Sequence, residues 1–483
     1  MNPFLGRARG LQELVSPGLF LVVALTLGPA LAAGQSTINV TNSPYNAKGD
    51  GVSNDGPALE AAFSAGSSVY LPPGTYLVDN SAGPLVINNF SATLQFDPLA
   101  ILTCNTPAKA CLIFNGGAAP TFLNVQVTYT TTPTDDCRSG QTQCVTLMFD
   151  GQTKPVIQGT KVVNGWAIAL SVNNTTDAQV TNTVIQHSTR DGLYLQDNQN
   201  VTVTSLTVTD SGDDCIGFHS TGSGGGRNGG SASGINCMKI RGGGIAFAGG
   251  SNINVSDFVV DGTSAQGIYV MSDPANFLLP SNITVSNGVI RGVGSVPDTV
   301  PRTGTQNGIQ YYITGGPNMG ALQFSSIIVD STSGYGITGS NASSVTVNDV
   351  HVSNAGLDSA VSNASCLQFV SNGNVAITRS SARGCYRTGV ATLQNASVSI
   401  DSTSVTDAWL KGNLESGAKA FDVVANNAIS ISDVSVIDND NPATGYTFNE
   451  NQNGSGSVTK VSSDIIFGSL VVVHASSGVV YQP

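Results

Sequence analysis

Charge is what this chain has least of. Asp, Glu, Lys and Arg make up 10% of its 483 residues, against about a quarter in an ordinary soluble domain. The few charges are mostly negative, 31 acidic against 19 basic for a net charge of −12. No basic surface exists to neutralise phosphates, so neither nucleic acid nor an anionic membrane is an expected partner. Glutamate is almost absent, with only Glu13, Glu60, Glu415 and Glu450, so any acid and base must be aspartates. Histidine numbers four and no Cys-x-x-Cys unit occurs, so neither a metal nor an organic cofactor is expected. Past the first thirty or so residues no apolar run approaches the roughly 20 residues of a membrane span.

What fills the chain instead is Gly, Ser, Thr, Asn and Val, a mixture of β-formers and turn residues that argues against a helical protein. The first residues read as an export signal. Arg7 and Arg9 precede the apolar run Gly18–Leu27, and Ala30-Leu31-Ala32 supplies small residues for cleavage. The expectation is a signal at residues 1–32 and one domain at 33–483, secreted, extracellular and monomeric. All eight cysteines follow the signal, and an even number in an exported chain reads as four disulfides. The simplest pairing joins sequence neighbours, 104 with 111, 137 with 144, 215 with 237 and 366 with 385, although spacing alone leaves the pairing open. Glycan acceptor motifs occur at Asn39, Asn89, Asn173, Asn200, Asn282 and Asn395.

Near the start, Asn54-Asp55-Gly56-Pro57 predicts a helix beginning, with Leu59, Ala62 and Phe63 on its apolar side. Ser68–Val78 then reads as strand, Pro-Pro-Gly turn, strand. A short helix beside the first strands would cover the open end of a repetitive core. This opening resembles the N-terminal cap of pectate-lyase-like β-helix proteins, the polygalacturonases among them. From about residue 155 a loose motif recurs, an Asn or Ser turn followed by alternating β-branched residues, as at Asn200–Val208, Asn252–Val260, Asn282–Ile290 and Ser344–Val352. A second short strand lies between copies, as in Asp191-Gly-Leu-Tyr-Leu and Gln266-Gly-Ile-Tyr-Val. Irregular repeats of this kind predict an all-β chain, a single-stranded right-handed parallel β-helix with a short N-terminal capping helix. A sandwich or propeller is the rival, but the hairpin turns it needs are not visible. The Gly-rich stretch Gly222–Ser231 lies between two copies and reads as a loop beside the residues described next.

Those residues are Arg190-Asp191-Gly192-Leu193 and Ser211-Gly212-Asp213-Asp214-Cys215-Ile216. Asp191 and Asp213 are 22 residues apart, about one turn of a parallel β-helix, so their carboxylates are expected to stack on neighbouring turns. Crowded carboxyls differ in protonation, which is what glycosidic cleavage asks of an acid and a base. A pair of turn aspartates, or a calcium site, is the plainer alternative.

The aspartate spacing, followed by Gly212-Asp213-Asp214-Cys215-Ile216, resembles the polygalacturonases and, less specifically, β-helix dextranases, α-1,3-glucanases and α-1,3-galactosidases. The resemblance implies an inverting hydrolase in which Asp213 is the general acid while Asp191 and Asp214 activate water. It also implies a disulfide between Cys215 and Cys237. The chain departs from that pattern in three places. Thr189-Arg190-Asp191 stands for Asn-Thr-Asp, Gly242-Gly243-Gly244 lacks the family's histidine, and Tyr269-Val270-Met271 replaces the Arg-Ile-Lys that grips a uronate. His219, Arg190, Arg241 and Tyr269 are therefore the substrate-binding candidates, and Tyr194, Phe218 and Phe247 could stack on sugars or fill the core. The expected function is hydrolysis of a polysaccharide. A lyase or epimerase using Arg190 or Arg241 with calcium, and a carbohydrate-binding β-helix without catalysis, remain as alternatives.

Overall fold

The computed structural model describes residues 37–135, 137, 143–222, 229–272, 276–297, 306–313, 318–357, 364–407, 418–438, 446–465 and 470–482. The expected export signal, residues 1–32, and the middle of the Gly-rich loop, residues 223–228, lie outside them. From Ile38 onward the chain winds as a right-handed parallel β-solenoid of about 14 turns, with one helix among the described residues.

One face of the solenoid is a ladder of fifteen short parallel strands, from Leu85–Asn88 through Leu193–Gln196, Ile216–His219, Ile245–Ala248 and Ile268–Ser272 to Leu470–His474. In the middle of the solenoid the rest of the wall is built of long strands such as Val201–Ser211, Ser251–Thr263 and Ala342–Ala355. These do not run straight. Each carries one residue with left-handed backbone near its middle, namely Asn182, Ser205, Gly234, Asp257, Asn287, Ser326 and Asp349 in successive turns. Asn, Asp, Ser and Gly are the residues expected there, since short polar side chains or none tolerate positive φ. The sequence records the corner as a skip in the alternation. In Asn200–Val208 the buried residues are Val201, Val203, Leu206 and Val208, so the apolar spacing runs two, three, two. One extra residue turns the strand and restores its next apolar side chain to the interior.

The helix Gly56–Phe63 closes the N-terminal end, burying Leu59, Ala62 and Phe63 as their spacing requires. Asp55 precedes it without capping it. Its carboxylate instead accepts the amides of Lys48 (2.6 Å) and Gly49 (3.0 Å), fixing the loop before the helix. The Pro-Pro-Gly turn joins Val69–Leu71 to Gly74–Val78.

Inside, side chains stack rung on rung. Leu193, Ile216, Ile245, Ile268, Ile309 and Ile337 form one fully buried row, each contributing about 1.5–3 kcal/mol by burial. Phe218 and Phe247 belong to the neighbouring row, 5.5 Å apart and stacked within 6°, so they are core and not sugar platforms. Toward the C-terminus a polar row takes over one corner. The side-chain amide of Asn372 donates to Asn395 (3.1 Å), Asn395 to Asn426 (3.0 Å) and Asn426 to Asn453 (3.1 Å). The second amide hydrogens of Asn395, Asn426 and Asn453 reach the carbonyls of Phe369, Thr392 and Val423. Asn395 is 1% exposed, so its acceptor motif is unavailable to a glycan in the folded state, whereas Asn89, Asn200 and Asn282 are exposed.

All four sequence-neighbour disulfides are present. Cys215–Cys237 ties the turn that carries Asp214 to the strand Gly230–Ile240, and both sulfurs are in the core. With its ends 22 positions apart in sequence, it restricts the unfolded chain by an amount worth about 3 kcal/mol. Replacing both cysteines by alanine should lower the unfolding free energy by about that much in denaturant titration. A loss below 1 kcal/mol would place the stabilising role elsewhere.

Candidate active site

Rung-to-rung hydrogen bonds decide which residues meet. Gly192 N–H donates to the Asp214 carbonyl (2.8 Å), Cys215 N–H to Gly243 (3.0 Å), and Gly244 N–H to Gln266 (2.9 Å). Asp191, Asp214, Gly243 and Gln266 therefore occupy one row. The stacked pair is Asp191 with Asp214, 23 residues apart, and not Asp191 with Asp213 as a 22-residue turn would give. Asp213 falls in register with Arg190 and Gly242, one position nearer the preceding turn, and is half-buried.

Asp191 and Asp214 are 2% and 3% exposed. Asp214 accepts two donors, the Gly243 amide at 3.1 Å and the Tyr269 hydroxyl at 3.0 Å. Burial, then the nearby Asp214, Asp213 and Asp191, push the Tyr269 phenol well above its ordinary range, so it remains a donor at any working pH. The triple glycine makes this approach possible. A methyl group on Gly243 would lie 2.8 Å from Asp214 Oδ1 and 3.1 Å from the Tyr269 ring, and one on Gly242 would lie 2.7 Å from Asp213 Oδ1. The position where the resembled family carries histidine is thus beside the aspartates, and here the Tyr269 ring fills its space from the next rung.

His219 enters from the far end of the strand Ile216–His219. Its ring stacks on Tyr194 at 4.1 Å between centroids and 21° between planes, with Phe277 at 5.8 Å. One ligating atom each of Asp191, Asp214 and His219 lie within 4.8 Å of one another. Burial, and secondarily Arg190, lower the His219 pKa to about 3, so the imidazole is neutral at physiological pH. The sequence offered it only as a candidate five residues after Asp214; the glycine at 217, which leaves the space its ring occupies, is the signal that would have strengthened it.

The two candidate arginines part company. Arg190 stays at the site, Nη2 3.8 Å from Asp191 Oδ2. Arg241 turns away. Its Nε is 3.3 Å from Asp210 Oδ1 and its Nη2 donates to the Ser188 carbonyl at 3.4 Å. Asp210 is also 2.8 Å from His187 Nδ1, so Asp210, His187 and Arg241 form a separate cluster one corner away. Tyr194 and Tyr269 stand on the same outward row with the small residues Gly217 and Ala246 between them. Three rung steps of about 4.8 Å separate the two positions, and the His219 ring lies over Gly217 between them.

Residues 37–229 match the family model "Rhamnogalacturonase A/epimerase, pectate lyase-like", and residues 166–350 match "Right handed beta helix region". No curated protein sequence matches the chain. Among solved structures, the Agl-KA catalytic domain is similar over 85% of this chain and 69% of that one, with 15% identity and a TM-score of 0.56. The N-terminal fragment of bacteriophage phi29 gene product 12 covers 92% of this chain and 93% of its own, with 15% identity and a TM-score of 0.51. A family 28 exopolygalacturonase of Yersinia enterocolitica covers 83% and 78%, with 14% identity and a TM-score of 0.47. The fold is a right-handed parallel β-helix, and residues 37–229 of it are similar to the pectate-lyase-like family model.

Proposed function

We propose that this chain is a secreted glycoside hydrolase acting on a polysaccharide with inversion, through Asp191, Asp213 and Asp214. The observation that carries the proposal is the convergence of two buried carboxylates on adjacent rungs with a third, more open carboxyl beside them. Asp213, the least buried, donates its proton to the leaving glycosidic oxygen. Asp191 and Asp214 take a proton from the water that attacks the anomeric carbon on the opposite face as the glycosidic bond breaks. Tyr269 and the Gly243 amide hold Asp214 in place while this happens. Asp213→Asn should abolish turnover with an unchanged melting temperature, and Asp191→Asn and Asp214→Asn should each lower kcat by orders of magnitude. Near-normal rates in all three variants would remove the proposal.

Substrate charge follows from what surrounds the aspartates. A uronate at the cleaved position needs a cation, and leaving its carboxylate unpaired in a closed site costs several kcal/mol, about a thousandfold in rate. Arg241 is committed to Asp210, Arg190 to Asp191, and the outward row carries Tyr194, Gly217, Ala246, Tyr269 and Gln310. Neutral glucans or galactans are therefore the proposed substrates. Initial rates on such polymers should exceed those on polygalacturonate, and a clear preference for polygalacturonate would overturn this assignment. A product absorbing in the ultraviolet would identify an eliminating enzyme instead.

Gly243→Ala separates geometry from chemistry. The added methyl displaces only the end of the Asp214 side chain and the edge of Tyr269. Stability should fall by no more than about 1–2 kcal/mol, while kcat falls at least about a hundredfold from misplacement of a reacting group. An active Gly243→Ala enzyme would mean that Asp214 does not act.

A further inference from the structure

Besides Asp191 and Asp214, the site holds a group that the proposed hydrolysis does not use. Both ring nitrogens of His219 are buried, and among the described residues neither has a hydrogen-bond partner. A buried imidazole N–H or lone pair left in that state is costly. The surrounding structure holds the ring in place. Tyr194 stacks on one side, Phe277 packs against it, and Gly217 leaves the space that Nε2 fills, since a methyl group there would lie 2.4 Å from that nitrogen. What the ring is held toward is the carboxylate pair.

We propose that Asp191, Asp214 and His219 hold a divalent transition-metal ion, Mn²⁺ or Zn²⁺ by the chemistry of the donors. Two carboxylate oxygens and one imidazole nitrogen are a mixed donor set in which the imidazole disfavours Ca²⁺ and Mg²⁺, which take oxygen ligands. The donor atoms lie within 4.8 Å of one another, whereas ligands about 2.1 Å from a shared ion are separated by at most roughly 4.2 Å. Closing on the ion therefore takes a few tenths of an ångström from each side chain. Three protein ligands leave positions for water on the open side, where the substrate is proposed to lie. The inference does not rest on the hydrolase reading, because the same three ligands would hold the ion in a protein without turnover; the base roles of Asp191 and Asp214 and the preference for neutral sugars belong to the metal-free site.

The test uses the full secreted chain, stripped with chelator and dialysed, titrated separately with Mn²⁺, Zn²⁺ and Ca²⁺ by calorimetry, with Mn²⁺ binding followed also by electron paramagnetic resonance. One equivalent of Mn²⁺ or Zn²⁺ should bind more tightly than Ca²⁺. His219→Ala and, as a second variant that keeps a polar side chain, His219→Gln should each weaken binding about tenfold or more. His351→Ala, at an exposed histidine elsewhere, should change nothing. Asp213→Asn should lose hydrolysis and keep the ion, which separates the two proposals. Absence of binding, preference for Ca²⁺, or binding unchanged in both folded His219 variants would overturn the assignment.

Discussion

Everything at the candidate site depends on the register of parallel backbone hydrogen bonds between rungs. The chain supplies isolated turn residues, and the ladder decides which of them share a row. Asp191, Asp214, Gly243 and Gln266 meet because Gly192, Cys215 and Gly244 each donate to the rung above. Shifting one rung by a single residue would exchange Asp214 for Asp213 in that row and turn the alternating strand inside out. The buried row of Leu193, Ile216, Ile245 and Ile268 opposes such a slip. Cys215–Cys237 fixes the same turn covalently.

Within that register, side-chain size decides the chemistry. Gly242 and Gly243 allow two acidic residues to lie against the backbone of the following rung, and Tyr269 reaches back from one rung further to donate to Asp214. The resulting site is lined by carboxyls, one neutral imidazole and tyrosines, with Arg190 as its near cation.

Much of this was legible in the residues themselves. Alternating β-branched segments behind Asn turns specify rungs, and Leu59, Ala62 and Phe63 specify the buried side of the cap helix. The cysteine pairing followed sequence neighbours because each pair spans no more than one turn or one loop. Rung length did not follow, because turns differ by their loops and one residue suffices to exchange Asp213 for Asp214. Partner choice was equally hidden. Arg241 looked as close to the aspartates as Arg190, yet Asp210, on the neighbouring long strand, takes it. Asn395 carries the same acceptor motif as the other five sites, and only stacking with Asn372 and Asn426 shows it to be interior. The left-handed corners were written in the two-three-two apolar spacing, a signal that is legible once the strands are known to bend.

The central claim, that these aspartates cleave a glycosidic bond by single displacement, is tested most directly by proton nuclear magnetic resonance of the first product formed from a neutral polysaccharide substrate. The account requires that the new reducing end appear first with the anomeric configuration opposite to that of the cleaved linkage. Initial retention of configuration, or an unsaturated product with no new reducing end from hydrolysis, would contradict it.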